Sequence, residues 1–189
     1  MTNLTNSDYR TCLRDWKKDD LNIYSDWILE KHKWQQFDGP YFKRDLVKLQ
    51  EHLDDLTCKV KENNFEKLRK RLVIADKESN ELLGTVSYYW TSKESSWMSI
   101  GLVIYNEAYW SKGIGKEALT LWVQYLFDNS NIVRLDLRTW SGNIGMIKLA
   151  EKLGFIEEAR FRNARVVNGA YFDGLAFGIL REEWTRDNS

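Results

Sequence analysis

Residues 109–119 read YWSKGIGKEAL and place two glycines, Gly113 and Gly115, between an apolar run and a helix-forming stretch. The apolar run MSIGLVIY covers residues 98–105, and the stretch KEALTLWVQYLF covers residues 116–127. A helix N-terminus leaves backbone N–H groups unpaired and carries partial positive charge, and glycine lets an anion approach the backbone. The pattern therefore predicts an anion-binding loop at the end of a strand.

Two nucleotide-binding motifs match this loop only in part. A P-loop requires Ser or Thr after its Gly-Lys pair, where this chain has Glu117. The spacing of Gly113, Gly115 and Ala118 fits a dinucleotide fingerprint. That fingerprint belongs in the tight first turn of a parallel unit, whereas residues 106–110 separate these glycines from strands with an antiparallel pattern. A turn that merely needs a positive φ remains a further alternative.

Length and composition favour one domain that binds a small ligand. The 189 residues suit a single domain over residues 1–189, which would bury about 70% of its unfolded surface. Lys plus Arg and Asp plus Glu both number 28, so the net charge gives no reason to expect nucleic acid or an anionic membrane as partner. Cys12 and Cys58 form neither a zinc pattern nor a disulfide framework. We therefore expect no metal site. No apolar run is long enough for a leader or a membrane span, so we expect a cytoplasmic protein.

Hydrophobic periodicity predicts an α+β or mixed α/β fold. The N-terminal third shows a strand over residues 9–16, a short helix capped by Asp19 or Asp20, and a long helix from Phe42 to Val60. From residue 70 the pattern becomes that of extended strands, over residues 71–76, 82–91 and 96–105. After the glycine loop, the sequence predicts a helix over 116–127, a strand over 132–140, a helix over 143–152 and a last hairpin joined at VNGAY.

Three segments in order resemble the GNAT family of acetyl-CoA-dependent N-acetyltransferases, specifically its RimJ/RimL-like branch. They are SIGLVIYNEAYWSKGIGKEAL (residues 99–119), TWSGNIGMIKLAEKLGFIEEARF (139–161) and VVNGAYFDGLAFGILREEW (166–184). The resemblance is strong over residues 70–184 and extends to the N-terminal part only in layout. It implies a GNAT-like acyl-CoA N-acyltransferase fold, with a central mixed, mostly antiparallel twisted sheet flanked by helices, and acetyl-CoA (coenzyme A) as cofactor.

The resemblance implies which backbone groups hold coenzyme A. The family's loop, Arg or Gln, two residues, Gly, one residue, Gly or Ala, falls on residues 110–115, with Trp110 in place of Arg or Gln. The pyrophosphate would meet the amides of Ser111, Lys112, Gly113, Ile114, Gly115 and Lys116. Asn143 matches an asparagine that contacts the cofactor, and a simple helix N-cap explains it equally.

The same likeness implies how the pantetheine arm enters the sheet. A bulge near Gly101 and Leu102 would separate that strand from the strand over residues 132–140. The backbone of Val103 and Ile104 would then face the pantetheine and the thioester oxygen, as an oxyanion site made of main chain.

The reaction implied is the attack of a neutral primary amine on the thioester. Many relatives have a tyrosine at the position of Ala150, and RimL-like relatives often have a serine at that of Met146, so no conventional acid is in place. Glu158 matches an acidic position near the acceptor amine and is the candidate general base; an exposed surface glutamate is the alternative. Because the acid is missing, a non-catalytic acetyl-CoA-binding protein is the alternative function.

The acceptor wall is predicted to come from the first two helices and their joining loop. Its candidate residues are Trp27, Glu30, Trp34 and Phe37, beside Asp38 and Tyr41. Asp173 is expected to be structural or to orient the substrate, and His32 and His52 are expected at the surface. The family also makes a homodimer an expectation.

Amine chemistry favours one acceptor class. At pH 7, neutralising a lysine-like amine of pKa about 10.4 costs roughly 4.6 kcal/mol, whereas an α-amine of pKa about 7.7 to 8.0 costs roughly 1 to 1.4 kcal/mol. A site with few bases should prefer the α-amine. We therefore rank a protein or peptide N-terminus, of the ribosomal-protein type, slightly ahead of a small amine.

Overall fold

A computed structural model of the protein describes residues 2–187, in which eight strands form one sheet. The strands are β1 (Asn3–Thr5), β2 (Thr11–Arg14), β3 (Arg71–Asp76), β4 (Leu82–Ser92), β5 (Trp97–Ile104), β6 (Arg134–Trp140), β7 (Ile156–Val167) and β8 (Ala170–Leu180). Their order is β1-β2-β3-β4-β5-β6-β8-β7. All neighbours are antiparallel except β5 and β6, which are parallel. The mixed, mostly antiparallel sheet is thus confirmed.

Helices pack on both faces of the sheet. They are α1 (Asp20–Leu29), α2 (Leu46–Glu62), α3 (Ile114–Asn129), α4 (Ile144–Lys152) and α5 (Arg181–Asp187). On one face α3 and α4 pack over a core that includes Trp122, Leu135 and Leu137. On the other face α1 and α2 pack on a second core with Tyr24 and Tyr105. This second face is covered mainly at its β2–β4 side.

The N-terminal part differs from the prediction in three places. The strand expected over residues 9–16 shrinks to β2, and the three-residue β1 is too short to show a period. The second helix begins at Leu46 rather than Phe42, because the Asp45 carboxylate accepts the Lys48 N–H (3.2 Å) and caps the helix there. Phe42 lies in the preceding turn and is 68% exposed.

A buried ion pair fixes the start of α1. Asp20 accepts two hydrogen bonds from the Arg14 guanidinium (2.7 and 2.9 Å) and one from the Lys17 backbone N–H (2.7 Å). Asp19 occupies the N-cap position without a side-chain cap bond. Of the two aspartates proposed as caps, Asp20 therefore joins α1 to β2, and Asp19 stays in solvent.

The parallel pair β5–β6 ends early. Only residues Trp97 to Ser99 pair with Arg134 to Asp136, and beyond them the strands separate. The bulge predicted near Gly101 and Leu102 is wrong, because both residues pair with β4 in unbroken register. The strands separate for another reason: β5 stays with β4 while β6 stays with β8 along its whole length.

His52 is half-buried, which corrects its predicted surface position. Its Nε2 lies 3.1 Å from the Tyr24 hydroxyl and 3.4 Å from Arg71 Nη1, and Arg71 also donates to the Tyr24 hydroxyl. Burial, and then the charge of Arg71, lower the pKa of His52 to about 4. The other histidine, His32, is also half-buried, with its ring 4.3 Å from that of Trp27.

The lowered pKa predicts a pH-dependent stability. An unfolded histidine of pKa about 6.5 takes up a proton between pH 6.5 and 4 while folded His52 stays neutral, so stability falls as pH falls through this window. Relative to His52→Gln, the wild type should lose about 2 kcal/mol of unfolding free energy between pH 7.5 and 4, because solvent around the half-buried ring weakens the effect of the full pKa shift. Urea unfolding at pH 7.5, 5.5 and 4 checks this, and parallel pH curves for the two proteins would contradict it.

Candidate active site

The glycine loop exposes the start of α3. Ser111 and Gly113 both have positive φ, 58° and 87°, and Gly113 occupies the N-cap. The first backbone bond of the helix runs from Glu117 N–H to the Gly113 carbonyl (3.1 Å), so the amides of Ile114, Gly115 and Lys116 precede it. A Cβ at Gly113 would meet nothing within 4 Å. The loop therefore presents amides to an open space.

The lysines beside the loop are exposed, whereas the glutamate that follows them is bonded to β2. Lys112 and Lys116 are exposed beside the amides. Glu117 instead points to the start of β2, where it accepts bonds from the Thr11 N–H (3.0 Å) and hydroxyl (2.8 Å). The carboxylate at the position where a P-loop needs Ser or Thr thus joins α3 to the sheet.

The strands before the loop are antiparallel, as their pattern predicts, and β5 also has one parallel neighbour. Because β5 and β6 are parallel neighbours, β5, α3 and β6 form a crossover unit. A 3-10 turn, Glu107–Tyr109, lengthens the connection before the glycines. The tight strand-to-helix turn of a dinucleotide site is therefore missing here.

Beyond the last paired residues, β5 and β6 form a gap. Side chains alternate along β6, so Leu135 and Leu137 enter the core under α3, and Asp136 and Arg138 lie on the opposite face. We call this opposite face of β5, β6, β8 and β7 the open face. The side chain of Arg138 is 55% exposed there, which shows that solvent reaches it.

The backbone of β5 alternates between β4 and the gap. Tyr105 N–H donates to the Leu83 carbonyl of β4 (3.0 Å), and the Val103 carbonyl oxygen lies against Gly84 of the same strand. Alternation then turns the backbone of Leu102 and Ile104 toward β6. The backbone of Val103, predicted to face the cofactor, is thus turned away from the gap, and the backbone of Leu102 faces it instead. The alternation of backbone groups from Tyr105, which pairs with β4, would have predicted this.

Trp110 and Phe37 connect the elements around the gap. The Trp110 indole N–H donates to the Ile104 carbonyl (2.9 Å), and its ring meets Phe37 edge-on at 5.3 Å. The Phe37 carbonyl accepts from Trp140 Nε1 (2.9 Å) and Asn143 Nδ2 (3.2 Å). Phe37, predicted for the acceptor wall, is thus brought beside predicted cofactor residues.

Asn143 caps α4, because its Oδ1 accepts the Met146 N–H at 3.1 Å. The N-cap alternative is therefore confirmed. The Asn143 Nδ2 donates to the Phe37 carbonyl, and the contact of Asn143 with the cofactor stays a prediction.

Two tryptophans of the predicted acceptor wall, Trp27 and Trp34, pack against Tyr105. The rings of Trp27 and Trp34 lie 6.0 and 5.3 Å from that of Tyr105, which is buried. Trp34 Nε1 donates to the Trp27 carbonyl (3.1 Å). Glu30 is exposed, and its backbone carbonyl accepts from Gln35 Nε2 (2.7 Å). Of the predicted wall, Trp27, Trp34 and Phe37 come together, and the Glu30 side chain stays at the surface.

Asp173 stabilises the last hairpin. Its carboxylate accepts the Asn163 N–H (3.0 Å) and pairs with Arg160 (3.0 Å), and these two contacts, in that order, lower its pKa. Its own N–H donates to the Ser141 hydroxyl (2.9 Å). These contacts match the structural alternative for this residue.

The Glu158 carboxylate lies on the open face, above β8. It forms an ion pair with Arg134 of β6 and covers Gly178, where a Cβ would lie 2.3 Å from Glu158 Cδ. Gly178 pairs with Asp136, the last residue of β6 that pairs with β5. The role of Glu158 as general base stays a prediction.

Comparison with known proteins decides the family. The family model described as an acetyltransferase (GNAT) domain matches residues 10–156. The chain belongs to the GNAT acetyltransferase family. The acetyltransferase is 26% identical over 172 residues to the SPbeta prophage-derived uncharacterized N-acetyltransferase YokL of Bacillus subtilis (strain 168), covering 91% of this chain and 90% of YokL.

Solved structures share the fold of this acetyltransferase. Ribosomal-protein-S5-alanine acetyltransferase from Vibrio fischeri superposes with a TM-score of 0.73 at 21% identity, over 97% of this chain and 99% of that one. Spermidine N-acetyltransferase from Vibrio cholerae, in complex with CoA and spermine, gives 0.73 at 18% identity, over 93% and 98%. The protein is an N-acetyltransferase, and its acetyl donor is acetyl-CoA.

The acetyltransferase has residues that fit this donor. Free amides and open space at Gly113 suit a pyrophosphate, and Lys112 and Lys116 add positive charge. The β5 edge at Leu102 and the Ile104 N–H faces the gap, where the amide groups of a pantetheine arm could pair. Among residues 2–187, no set of three or more His, Cys, Asp or Glu is placed to bind a metal, and no helix is long and apolar enough to cross a membrane.

The position of the family's proton donor is occupied by a core residue. Ala150 is fully buried on the inner side of α4, and Met146 packs at the edge of the same core. Neither side chain carries an acidic proton. The acetyltransferase therefore has no side-chain acid at these two positions.

Proposed function

We propose that this acetyltransferase acetylates the α-amine of a protein or peptide N-terminus, as a member of the RimJ/RimL-like branch. The observation that carries the proposal is the charge of the open face. Arg134 and Arg138 lie on this face of β6, and its carboxylates Asp136 and Glu158 both already have partners. A polyamine needs several unpaired carboxylates, and among residues 2–187 the strands of this face offer none.

The chemistry of the amine supports the same acceptor. At pH 7 about 10 to 17% of an α-amine of pKa 7.7 to 8.0 is already neutral, against less than about 0.1% of a lysine-like amine. A base already engaged in an ion pair, such as Glu158, is then sufficient, because little of the amine has to be deprotonated. The fold does not distinguish the acceptors: one solved neighbour is named for ribosomal protein S5 and another for spermidine.

The residues act by position and backbone polarity. Bound acetyl-CoA supplies an activated acetyl group as a thioester. The amides from Ser111 to Lys116 hold the pyrophosphate, and Asn143 borders the same cleft. An N–H on the gap edge of β5, from Leu102 or Ile104, donates to the thioester oxygen as negative charge develops. A leaving thiolate of pKa about 8.5 departs without a strong acid, which accommodates Ala150 and Met146.

Thiol release from acetyl-CoA tests the proposal. The panel contains short peptides with a free N-terminus, the same peptides acetylated at that end but carrying lysine, spermidine and an aminoglycoside. We expect release only with a free α-amine. Release with spermidine or the aminoglycoside alone would overturn the peptide acceptor. Tight acetyl-CoA binding by calorimetry without release from any amine would favour a non-catalytic binding protein.

We also propose a cytoplasmic homodimer. β7 is an edge strand, and its Ile156 and Phe161 are 57% and 60% exposed. Light scattering after size-exclusion chromatography would show twice the 22.4 kDa monomer mass if the chain dimerises.

A further inference from the structure

We propose that the open face selects acceptors with an acidic N-terminal segment, and that Arg138 binds the carboxylate of a residue close to the acceptor amine. This inference rests on the proposed function, because it names the class of peptide that the same site accepts. Three observations carry it: the place of Arg138, the way it is held, and the unused donors around it.

Arg138 borders the gap on its open side. Ser99 and Asp136 are the last paired residues of β5 and β6, so Gly101 and Arg138 are the next residues on the open face. Gly101 has no side chain, and a Cβ there would meet only Ser87 Oγ, at 3.3 Å. The space above Gly101 is thus open to a reacting amine, and Arg138 is the next residue of β6 on the same face.

A chain of polar groups holds Arg138 from below. The Thr91 hydroxyl donates to the Ser99 hydroxyl (3.2 Å), which donates to Asp136 Oδ1. Asp136 Oδ2 then faces Arg138 Nε at 3.5 Å. The Asp136 side chain is only 2% exposed, and burying a carboxylate is costly unless it is paired. Asp136 is therefore a positioning residue for Arg138.

The terminal nitrogens of Arg138 remain available to a ligand. Only its Nε has a hydrogen-bond or ion-pair partner among residues 2–187, and the side chain is 55% exposed. A guanidinium with two free nitrogens binds a carboxylate through two parallel hydrogen bonds.

Other donors on this face also lack acceptors. Among the described side chains, three buried nitrogens have no hydrogen-bond partner: Trp97 Nε1, Arg134 Nε and Arg165 Nε. The Arg134 guanidinium lies over the Trp97 ring at 4.7 Å. The Arg165 guanidinium lies 3.7 Å from a Cβ built at Gly174, which pairs with Trp140 of β6. Buried donors normally find acceptors, so carbonyl and carboxylate oxygens are the groups that this face lacks.

The carboxylates on the strands of this face are already paired. Glu158 pairs with Arg134, and both Glu157 and Asp173 pair with Arg160. Asp38, on the segment between α1 and α2, is exposed, and its carboxylate has no hydrogen bond or ion pair among residues 2–187; Arg71 is the nearby positive charge. A lysine-rich segment would meet unpaired donors of its own sign, whereas an acidic one would meet partners.

The test compares three peptides that share an N-terminal alanine and differ at the next two residues: two Asp, two Gln or two Lys. For the wild type we expect kcat/KM to fall from Asp to Gln to Lys, by about 10-fold or more at the first step. Arg138→Gln should remove this preference by raising KM for the Asp peptide about 10-fold, with kcat unchanged. A second readout needs no turnover: calorimetry of the N-acetylated Asp peptide, whose affinity should fall by a similar factor.

Arg10→Gln is the matched control. The Arg10 side chain is also 55% exposed, and its Nε also pairs with an aspartate, Asp76, but next to β2 on the far side of the sheet. It should leave the peptide preference unchanged. Asp136→Asn keeps an acceptor for Ser99 and should raise KM for the Asp peptide alone, with no further effect when Arg138 is already glutamine. A structural defect would instead affect all three peptides and coenzyme A binding.

The outcomes separate the two proposals. Equal use of the three peptides by the wild type, or an equal loss for all three in Arg138→Gln, overturns the acidic preference and leaves peptide acetylation standing. A protein that acetylates spermidine but no peptide overturns the proposed function and this inference with it.

Discussion

Gly113→Asp should weaken the binding of coenzyme A by at least about 100-fold. The carboxylate would project into the open space beside the amides at the start of α3, where the pyrophosphate is expected. Two like charges about 4 Å apart repel by roughly 4 kcal/mol at the effective dielectric constant of a protein surface, more than a 100-fold loss requires. Isothermal titration calorimetry with coenzyme A measures the effect directly.

Gly169→Asp provides the control for this experiment. Gly169 lies in the turn between β7 and β8, its φ is 79° against 87° at Gly113, and its Cβ would also meet nothing within 4 Å. Both variants therefore carry the same backbone strain, about 1 to 2 kcal/mol for a left-handed non-glycine residue. Equal affinities in the two variants would show that the loop does not hold the pyrophosphate.

Asp20→Ala should lower the free energy of unfolding by about 3 to 5 kcal/mol. Arg14 and Asp20 have side chains only 7% and 6% exposed, so the substitution leaves a buried guanidinium without its carboxylate. It also removes the acceptor of the Lys17 N–H at the start of α1. Urea unfolding at pH 7 measures the change.

The neighbouring residue is the natural comparison. Asp19 is exposed and its side chain makes no cap bond, so Asp19→Ala should change stability by no more than about 0.5 kcal/mol. Asp20→Asn, which keeps the volume but not the charge, should fall between the two. If both alanine variants were equally stable, the ion pair would contribute nothing measurable.

Local patterns predicted much of the fold. Runs of β-branched and aromatic residues between short polar turns identified β3, β4 and β5 to within about one residue, because each strand pairs with its chain neighbour. Patterns failed in two places: the three-residue β1 is too short to show a period, and the half-burial of His52 depends on Tyr24 and Arg71, which are 28 and 19 positions away.

Within the site, the sequence predicted the glycine loop but not the side-chain contacts around the gap. Positive φ at Gly113 and the cap at Asn143 are local properties, so the motif alone indicated them. Asp136 was overlooked, although it is the one acidic residue in the apolar stretch IVRLDLRTW and alternation opposes it to Leu135 and Leu137. Glu158 was proposed from likeness alone, and its pairing with Arg134 joins residues 24 positions apart.

The sequence by itself determined the meander β3–β5, the exposed start of α3 and the capped α4, because these depend on side-chain period, glycine conformation and hydrogen bonds within a few residues. Only the tertiary structure decided that β5 and β6 are parallel neighbours that separate after Ser99 and Asp136. It also decided that Arg138 borders this gap. Both results depend on pairing between residues 37 positions apart, which leaves no local pattern in either segment.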